Sequence, residues 1–344
     1  MTSTAEEALN LPALANHFDR IGVTRNGALR ADLISGGRSN LTFLIYDDKS
    51  TWVLRRRPLQ GVTPSAHDMG REYRVVAALA GSGFPVARPV TLSEDDSILG
   101  APFAVVEYVM GQVIRTEEDL AVIASDDAVE QCVGGLVDVL ADLHAVEPGA
   151  VGLGDFGRPD GYLERQVRRW AGQWNLVQRD DDPRDNDVRR LHELLADGVP
   201  AQSGTSIVHG DYRIDNTILE STLPHRVGAV VDWEMSTLGD PLADAALMCV
   251  YRDPIFDLVI GVDAAWTSDR MPSADTMAQR YSVSSGRDLQ GWNYYLALGY
   301  FKVAVIAAGI AYRQRTIDGA ADVADDAVAP FIAKGLRILG NGAG

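Results

Sequence analysis

Apolar and polar residues change their rhythm near residue 111. Residues 5–20 open with a helical stripe of Leu9, Leu11, Leu14 and Phe18. The pattern then turns to short runs with period two in "ALRADLIS", "LTFLIYD" and "TWVLRRRP", joined by the turns "GGRSN" and "DKS". Three short strands joined by tight turns predict an antiparallel sheet. "HDMGREYRVVAALAGSG" predicts a helix with Tyr73, Val76, Ala77 and Ala80 on one face and a stop at Gly81. "ARPVTLSE" and "PFAVVEYV" add two further strands.

After Gly111 helical spacing takes over. Helices are predicted at 126–146, 161–178, 184–197, 275–284, 288–316 and 324–339. Between them "TSIVHGD", "NTIL" and "VGAVVDW" read as short strands holding a polar loop. The expectation is an α+β molecule with two lobes. Residues 1–106 form an N-terminal lobe, an antiparallel sheet with one main helix. Residues 107–112 form a hinge with a cleft behind it, and residues 113–344 a mostly helical lobe. No internal repeat is visible.

Composition narrows the picture. With 344 residues, 46% of them apolar and 23% charged, the chain has the profile of one large or two modest globular domains. Its 31 basic and 48 acidic residues leave a net charge of −17, which argues against nucleic acid as a partner. The acidic field favours cationic ligands, though simple solubility is the better account of it. Cys132 and Cys249 are far apart in sequence and lack metal-type spacing, which points to free thiols in a reducing compartment. The first residues carry acids where a signal peptide carries a basic region. The apolar stretch 294–312 nearly reaches membrane-spanning length, but Lys302 in its middle favours a buried core helix. A cytoplasmic protein with no membrane partner is expected; oligomeric state is not legible.

The chemistry concentrates in "IVHGDYRIDN", residues 207–216. An apolar strand ends at Val208, His209-Gly210-Asp211 turns outward, and Asn216 follows five residues after Asp211. Sixteen residues beyond Asn216, "AVVDWE" delivers Asp232 from another apolar strand. A carboxylate and an amide oxygen make a hard-oxygen pair suited to Mg²⁺, which keeps water ligands and shares substrate phosphates. Asp211 is then left to accept a hydroxyl proton, the division of labour of kinase-type phosphoryl transfer. The other reading, that Asp211 and Asn216 cap turns, is common for these residues. A fixed His-Gly-Asp with Asn at this distance arises by chance in roughly one protein of this length in several hundred, which favours chemistry.

Phosphoryl transfer also needs a strand cation for the nucleotide's phosphates, held by a helix acid. Arg55 shares a strand face with Val53, and Glu72 lies on the next helix; Arg56 and Arg57 compete for the role, and Arg57 shares the face of Arg55. In "SGGRSN", Gly36 and Gly37 permit close backbone approach over phosphates, with Ser39 and Asn40 in the same turn, although glycine turns join many hairpins. Glu107 to Val109, at the hinge, offer backbone groups to an adenine edge on topology alone.

The ordered set "SGGRSN", "VLR", "REYRVVAAL", "VHGDYRIDN" and "VVDWE" resembles the aminoglycoside phosphotransferase and choline kinase-like family across residues 30–245, and "STLGDPLAD" and "RYSVSSGRDL" extend the similarity nearly to the end. The resemblance is closest to the branch that includes the kinase-like domain of some eukaryotic acyl-CoA dehydrogenases. It implies a protein-kinase-like fold, ATP or GTP as phosphoryl donor, and Mg²⁺. It further implies Asp211 as catalytic base, Asn216 and Asp232 as metal ligands, and Arg55 paired to Glu72 on the phosphates. Arginine replaces the lysine of many kinases, no G-x-G-x-x-G occurs, and Asp-Trp-Glu replaces Asp-Phe-Gly, which points to small-molecule kinases. Glu234 either assists the metal or orders its loop; Arg213 steadies the loop or neutralises charge.

The acceptor is a small-molecule hydroxyl of three candidate kinds: aminoglycoside-like, amino alcohol or hydroxyacyl metabolite. The acidic "QRDDDPRDND" at 178–187 suits a polyamine, whereas Arg165 and Arg169, one helical turn apart, suit an anionic acceptor. Solvated surface explains either. A nucleotide-binding pseudokinase without turnover is the alternative reading.

Overall fold

The computed structural model describes residues 9–36, 41–57, 68–318 and 323–340. The chain divides into two compact units, residues 1–110 with 228–234, and residues 111–227 with 235–344. The segment 228–234 thus groups with the N-terminal unit, whereas the sequence pattern had placed everything after residue 112 in the second lobe.

In the first unit α1 (Leu11–Arg20) precedes β1 (Arg30–Gly36), β2 (Leu41–Tyr46) and β3 (Thr51–Arg56). Helix α2 (Met69–Ala80), β4 (Pro89–Ser93), α3 (Asp96–Leu99) and β5 (Phe103–Glu107) complete it. The sheet is antiparallel in the order β1-β2-β3-β5-β4. Strict alternation in β3 buries Trp52, Leu54 and Arg56 on one face. Phe43, Ile45, Phe103 and Val105 join that face, and Leu14 and Phe18 of α1 close over it. The opposite face presents Arg55. Helix α2 is capped by Asp68, whose side chain accepts the Arg71 N–H, and ends at Gly81.

The buried side of α2 is Met69, Glu72, Val75 and Leu79. This corrects the expected face of Tyr73, Val76, Ala77 and Ala80, of which Ala77 and Ala80 are exposed. The helix is turned by one residue because it buries an acid.

The second unit contains α4 (Glu117–Leu120), α5 (Asp126–Ala145), α6 (Tyr162–Val177), α7 (Asp185–Asp197), β6 (Ser206–Val208) and β7 (Thr217–Glu220). Next come β8 (Leu223–Val230), whose end belongs to the first unit, β9 (Thr237–Gly239), α8 (Pro241–Val250) and α9 (Phe256–Ile260). The chain closes with α10 (Ala274–Ser285), α11 (Trp292–Arg313) and α12 (Val328–Gly340). β6 pairs antiparallel with β9, and β7 is bonded to β8. All six long helices expected in this half form within a few residues of their predicted ends. Helix α8 escaped prediction because every residue but Ala243 is buried, which leaves no amphipathic period to read. Helix α11, apolar and long enough to cross a membrane, packs instead against α12, α8 and α6, with most of its apolar stretch buried. Cys132 and Cys249 are free and buried, and burial pushes both thiols up to about 12.

Candidate active site

In the first unit Arg55 Nη1 donates to Glu72 Oε2 at 2.6 Å, and Arg55 Nη2 lies 3.8 Å from Asp232 Oδ1. Strand parity produces this. Arg55 points away from the core face, toward the side on which α2 buries Glu72, which is only 6% exposed. Arg56 turns the other way, donates to the Leu99 carbonyl at 2.6 Å and lies over the Phe43 ring, so burial lowers its pKa and it belongs to the core. Asp232 follows β8 with φ of +64°, a left-handed conformation that few residues besides glycine, asparagine and aspartate adopt. The segment is anchored by the Val230 N–H on the Pro85 carbonyl at 2.8 Å and by Trp233 against Phe84. Glu234 lies exposed on the short 3₁₀ turn 233–235.

Gly37, Ser39 and Asn40 lie outside the described residues, and Gly36 ends β1 opposite Leu41. Glu107 ends β5 opposite Trp52. Its N–H is taken by the Arg88 carbonyl, and that of Tyr108 by the Thr51 carbonyl, which limits the backbone groups the stretch to Val109 can offer an adenine.

In the second unit the loop after β6 is organised around Asp211. Asn216 uses its side-chain nitrogen twice, on the Asp211 carbonyl at 2.7 Å and on Asp211 Oδ2 at 2.9 Å. Arg213 reaches both Asp211 oxygens at 3.3 Å and Asp215 Oδ2 at 2.5 Å, with its guanidinium over the rings of Tyr251 and Phe256. Burial pushes the Asp211 carboxyl up, but Arg213 and a hydrogen bond from Tyr251 outweigh it and hold the group below the ordinary carboxylate range. Asp215, under the same burial with Asp211 as a like charge, is raised. Asp211 is therefore an ionised acceptor at neutral pH, fixed on several sides.

The loop itself is pinned from behind. Asp244, 2% exposed, accepts the N–H of His209 at 2.6 Å on Oδ2 and that of Gly210 at 2.8 Å on Oδ1. His144 approaches the same carboxylate at 3.3 Å and bonds Tyr281 with its other nitrogen. Gly210 has φ of +82°, and a Cβ there would lie 2.9 Å from the Met235 carbonyl oxygen. His209 is fully buried, and its Nδ1 accepts the Asp211 N–H, so it orders the loop. Asp244, Tyr251 and Lys302 were not identified from sequence as site residues. Asp244 stood within "STLGDPLAD", but its role depends on how α8 packs, which no local spacing encodes.

The two substrate-side features are largely occupied by their own surroundings. Asp182 is paired with Arg184, and Asp185 accepts from Arg189 and Trp174. Arg165 caps the carbonyls of Arg158 and Asp160, and Arg169 lies over the neighbouring Trp170 ring.

Each unit holds one of the oxygens expected to take a metal. In the first, Asp232 Oδ1 is buried without a hydrogen-bond partner. In the second, Asn216 spends its side-chain nitrogen on Asp211, which leaves the amide oxygen out of those bonds. Among the described residues no group of three or more His, Cys, Asp or Glu gathers to hold a metal. Mg²⁺ needs no such group, because water and phosphate fill most of its positions.

Comparison with known proteins agrees with this chemistry. The family model described as "Phosphotransferase enzyme family" matches residues 31–292. The chain belongs to that phosphotransferase family. Its fold is protein-kinase-like, as the resemblance implied. The crystal structure of a Ralstonia eutropha protein described as an aminoglycoside phosphotransferase superposes with a TM-score of 0.81 at 31% identity, covering 96% of this chain and 98% of that one. The aminoglycoside phosphotransferase APH(4)-Ia, solved as a ternary complex with ADP and hygromycin B, shares the fold alone, with a TM-score of 0.61, 15% identity, and 96% and 98% coverage. Among curated proteins, human acyl-CoA dehydrogenase family member 11 is 33% identical over 302 residues, 86% of this phosphotransferase and 38% of the relative. Mouse family member 10 is 34% identical over 300 residues, 86% of this chain and 28% of the relative. The chain thus spans about a third of the length of these relatives.

Proposed function

We propose that this phosphotransferase moves the γ-phosphoryl group of ATP to the hydroxyl of a small molecule, with Asp211 as general base. The observation that carries the reading is the Asp211 carboxylate, kept ionised by Arg213 and Tyr251 and oriented by Asn216. An ionised, oriented carboxylate accepts the acceptor's proton as its oxygen attacks the γ-phosphorus and the bond to the β-phosphate oxygen breaks. Arg213 offsets negative charge beside the base. Arg55, steadied by Glu72, supplies the cation for the α- and β-phosphates. Asn216 and Asp232 would hold Mg²⁺, which when bound neutralises phosphate charge. GTP in place of ATP is an outcome of the same assays.

For the acceptor we favour a hydroxyacyl thioester over an aminoglycoside. The relatives with one third identity are named as acyl-CoA dehydrogenase family members. The acidic 178–187 loop, meanwhile, spends Asp182 and Asp185 on its own cations and Trp174. The test is ADP release from Mg·ATP against aminoglycosides, amino alcohols, sugars and hydroxyacyl-CoAs. Turnover with hydroxyacyl-CoAs supports the assignment, and turnover confined to aminoglycosides overturns it. Asp211→Asn is expected to keep nucleotide affinity and to lose about 10²-fold or more in transfer. Normal turnover by that variant removes Asp211 from the role. Mg-dependent ATP binding without transfer to any acceptor instead identifies a pseudokinase.

A further inference from the structure

The peptide joining Gly210 to Asp211 has both of its polar groups held by side chains. Its N–H donates to His209 Nδ1 at 3.2 Å, and its carbonyl accepts from Lys302 Nζ at 2.7 Å. Lys302 comes from the middle of α11, 92 residues further along the chain than Gly210. Its ammonium lies 5.6 Å from the centre of the Trp170 ring. With Tyr162, Gln166, Trp170 and Asp244 it lines a cavity of about 20 Å³, room for one water.

A charged side chain is an expensive choice at this place. The middle of α11 around it is otherwise apolar and mostly buried, and a methionine would fill the same space without a desolvation cost. The groups facing the ammonium are Asp211 from the loop, Asp244 from α8, and Arg169 and Tyr162 from α6. Elsewhere along α11, His192 of α7 stacks on Phe301, and Lys334 of α12 joins Tyr300 on Asp253. Lys302 is therefore matched to the loop and spent on the one carbonyl that precedes the base.

We propose that Lys302 is a positioning residue: its ammonium fixes the Gly210–Asp211 peptide and so the direction in which the Asp211 carboxylate leaves the loop. The inference rests on Asp211 being the base. Burial brings the lysine pKa down to about 8, with Asp211 and Asp244 pulling against it. Deprotonation leaves an amine that still reaches the carbonyl, but a charge-assisted hydrogen bond becomes a neutral one of about half the strength. The loop then loosens as pH rises through about 8.

Two measurements on the full chain test this across about pH 6.5 to 9.5, a range that brackets the lysine's titration. The first is amide hydrogen exchange of residues 206–213, corrected for the intrinsic pH dependence of exchange. The second is ADP release from Mg·ATP with the fastest acceptor of the screen above. The wild-type loop is expected to lose protection about fivefold between pH 7 and 9, with kcat falling in parallel. Lys302→Met should show the loosened loop at every pH, kcat at least about fivefold down, KM for ATP within about twofold, and no transition near pH 8. Protection that is independent of pH in the wild type overturns the proposal, as does a Lys302→Met variant that behaves as wild type. Should the variant not fold, the wild-type pH series decides alone. A chain without turnover on any acceptor removes the kinase reading, while the exchange data still decide whether Lys302 holds the loop.

Discussion

Replacing Asp244 with asparagine isolates the anchor of the loop after β6, because the side chain keeps its shape and loses only its charge and one acceptor. In the wild type its two oxygens take the N–H groups of His209 and Gly210 in a site 2% exposed. The amide can accept from one of them and must aim its own N–H₂ at the other. A buried donor left unsatisfied costs about 1–3 kcal/mol, and the surviving bond, no longer charge-assisted, loses about 1 kcal/mol more. The expected loss is therefore about 2–4 kcal/mol, a fall in Tm of roughly 5–15 °C for a unit of this size. Calorimetry at neutral pH measures it, and urea unfolding checks it. The pH dependence adds a second signature. Burial pushes the Asp244 carboxyl up, but the hydrogen bond from His144, electrostatic interaction with the His144 and His209 rings and the Gly210 N–H hold it below the ordinary range. A carboxylate with a lowered folded-state pKa stabilises above its unfolded value, about 3.9, and that contribution is lost as pH falls through the folded value. The acid limb of stability below about pH 4 should thus be shallower in Asp244→Asn. A loss under about 1 kcal/mol, with an unchanged acid limb, would refute the anchoring argument.

Two further perturbations follow from the geometry. Arg55→Met and Glu72→Gln should each weaken Mg·ATP binding, and the double variant should be much less than additive, because Glu72 acts through the 2.6 Å bond to Arg55; additive effects in an affinity cycle would separate the two residues. Gly210→Ala forces a side chain into a left-handed conformation, about 1–2 kcal/mol, and against the Met235 carbonyl, so it should abolish transfer while leaving ATP affinity measurable by calorimetric titration; a turnover within about threefold of wild type would contradict the close approach.

The chain's legibility follows from how local each feature is. Asp211 and Asn216 are five residues apart in one loop, so their contact is written in their spacing. Arg55 and Glu72 could be matched because strand parity assigns Arg55 to a face. The same pair explains the error in α2. A face chosen from apolar side chains alone turns the helix by one residue, toward Tyr73 and away from the side that buries Glu72. Asp244 and Lys302 lie 34 and 92 residues from Gly210, and their hydrogen bonds to it depend on tertiary packing. Nothing in the texture of α8 or α11 sets these residues apart except a charge in an apolar helix. For Lys302 that charge was read only as an argument against a membrane span.

The segment 228–234 bears on how the molecule is made. It belongs to the N-terminal unit, where Val230 bonds Pro85 and Trp233 meets Phe84, yet it is synthesised after the whole stretch 111–227. At about 5–20 residues per second, on the order of ten seconds pass between the last residue of the sheet's own stretch and the arrival of this piece. A nascent chain halted at residue 110 therefore lacks a part of its first unit, including Asp232. The first unit can be completed only once the ribosome has carried the chain through about half of the second.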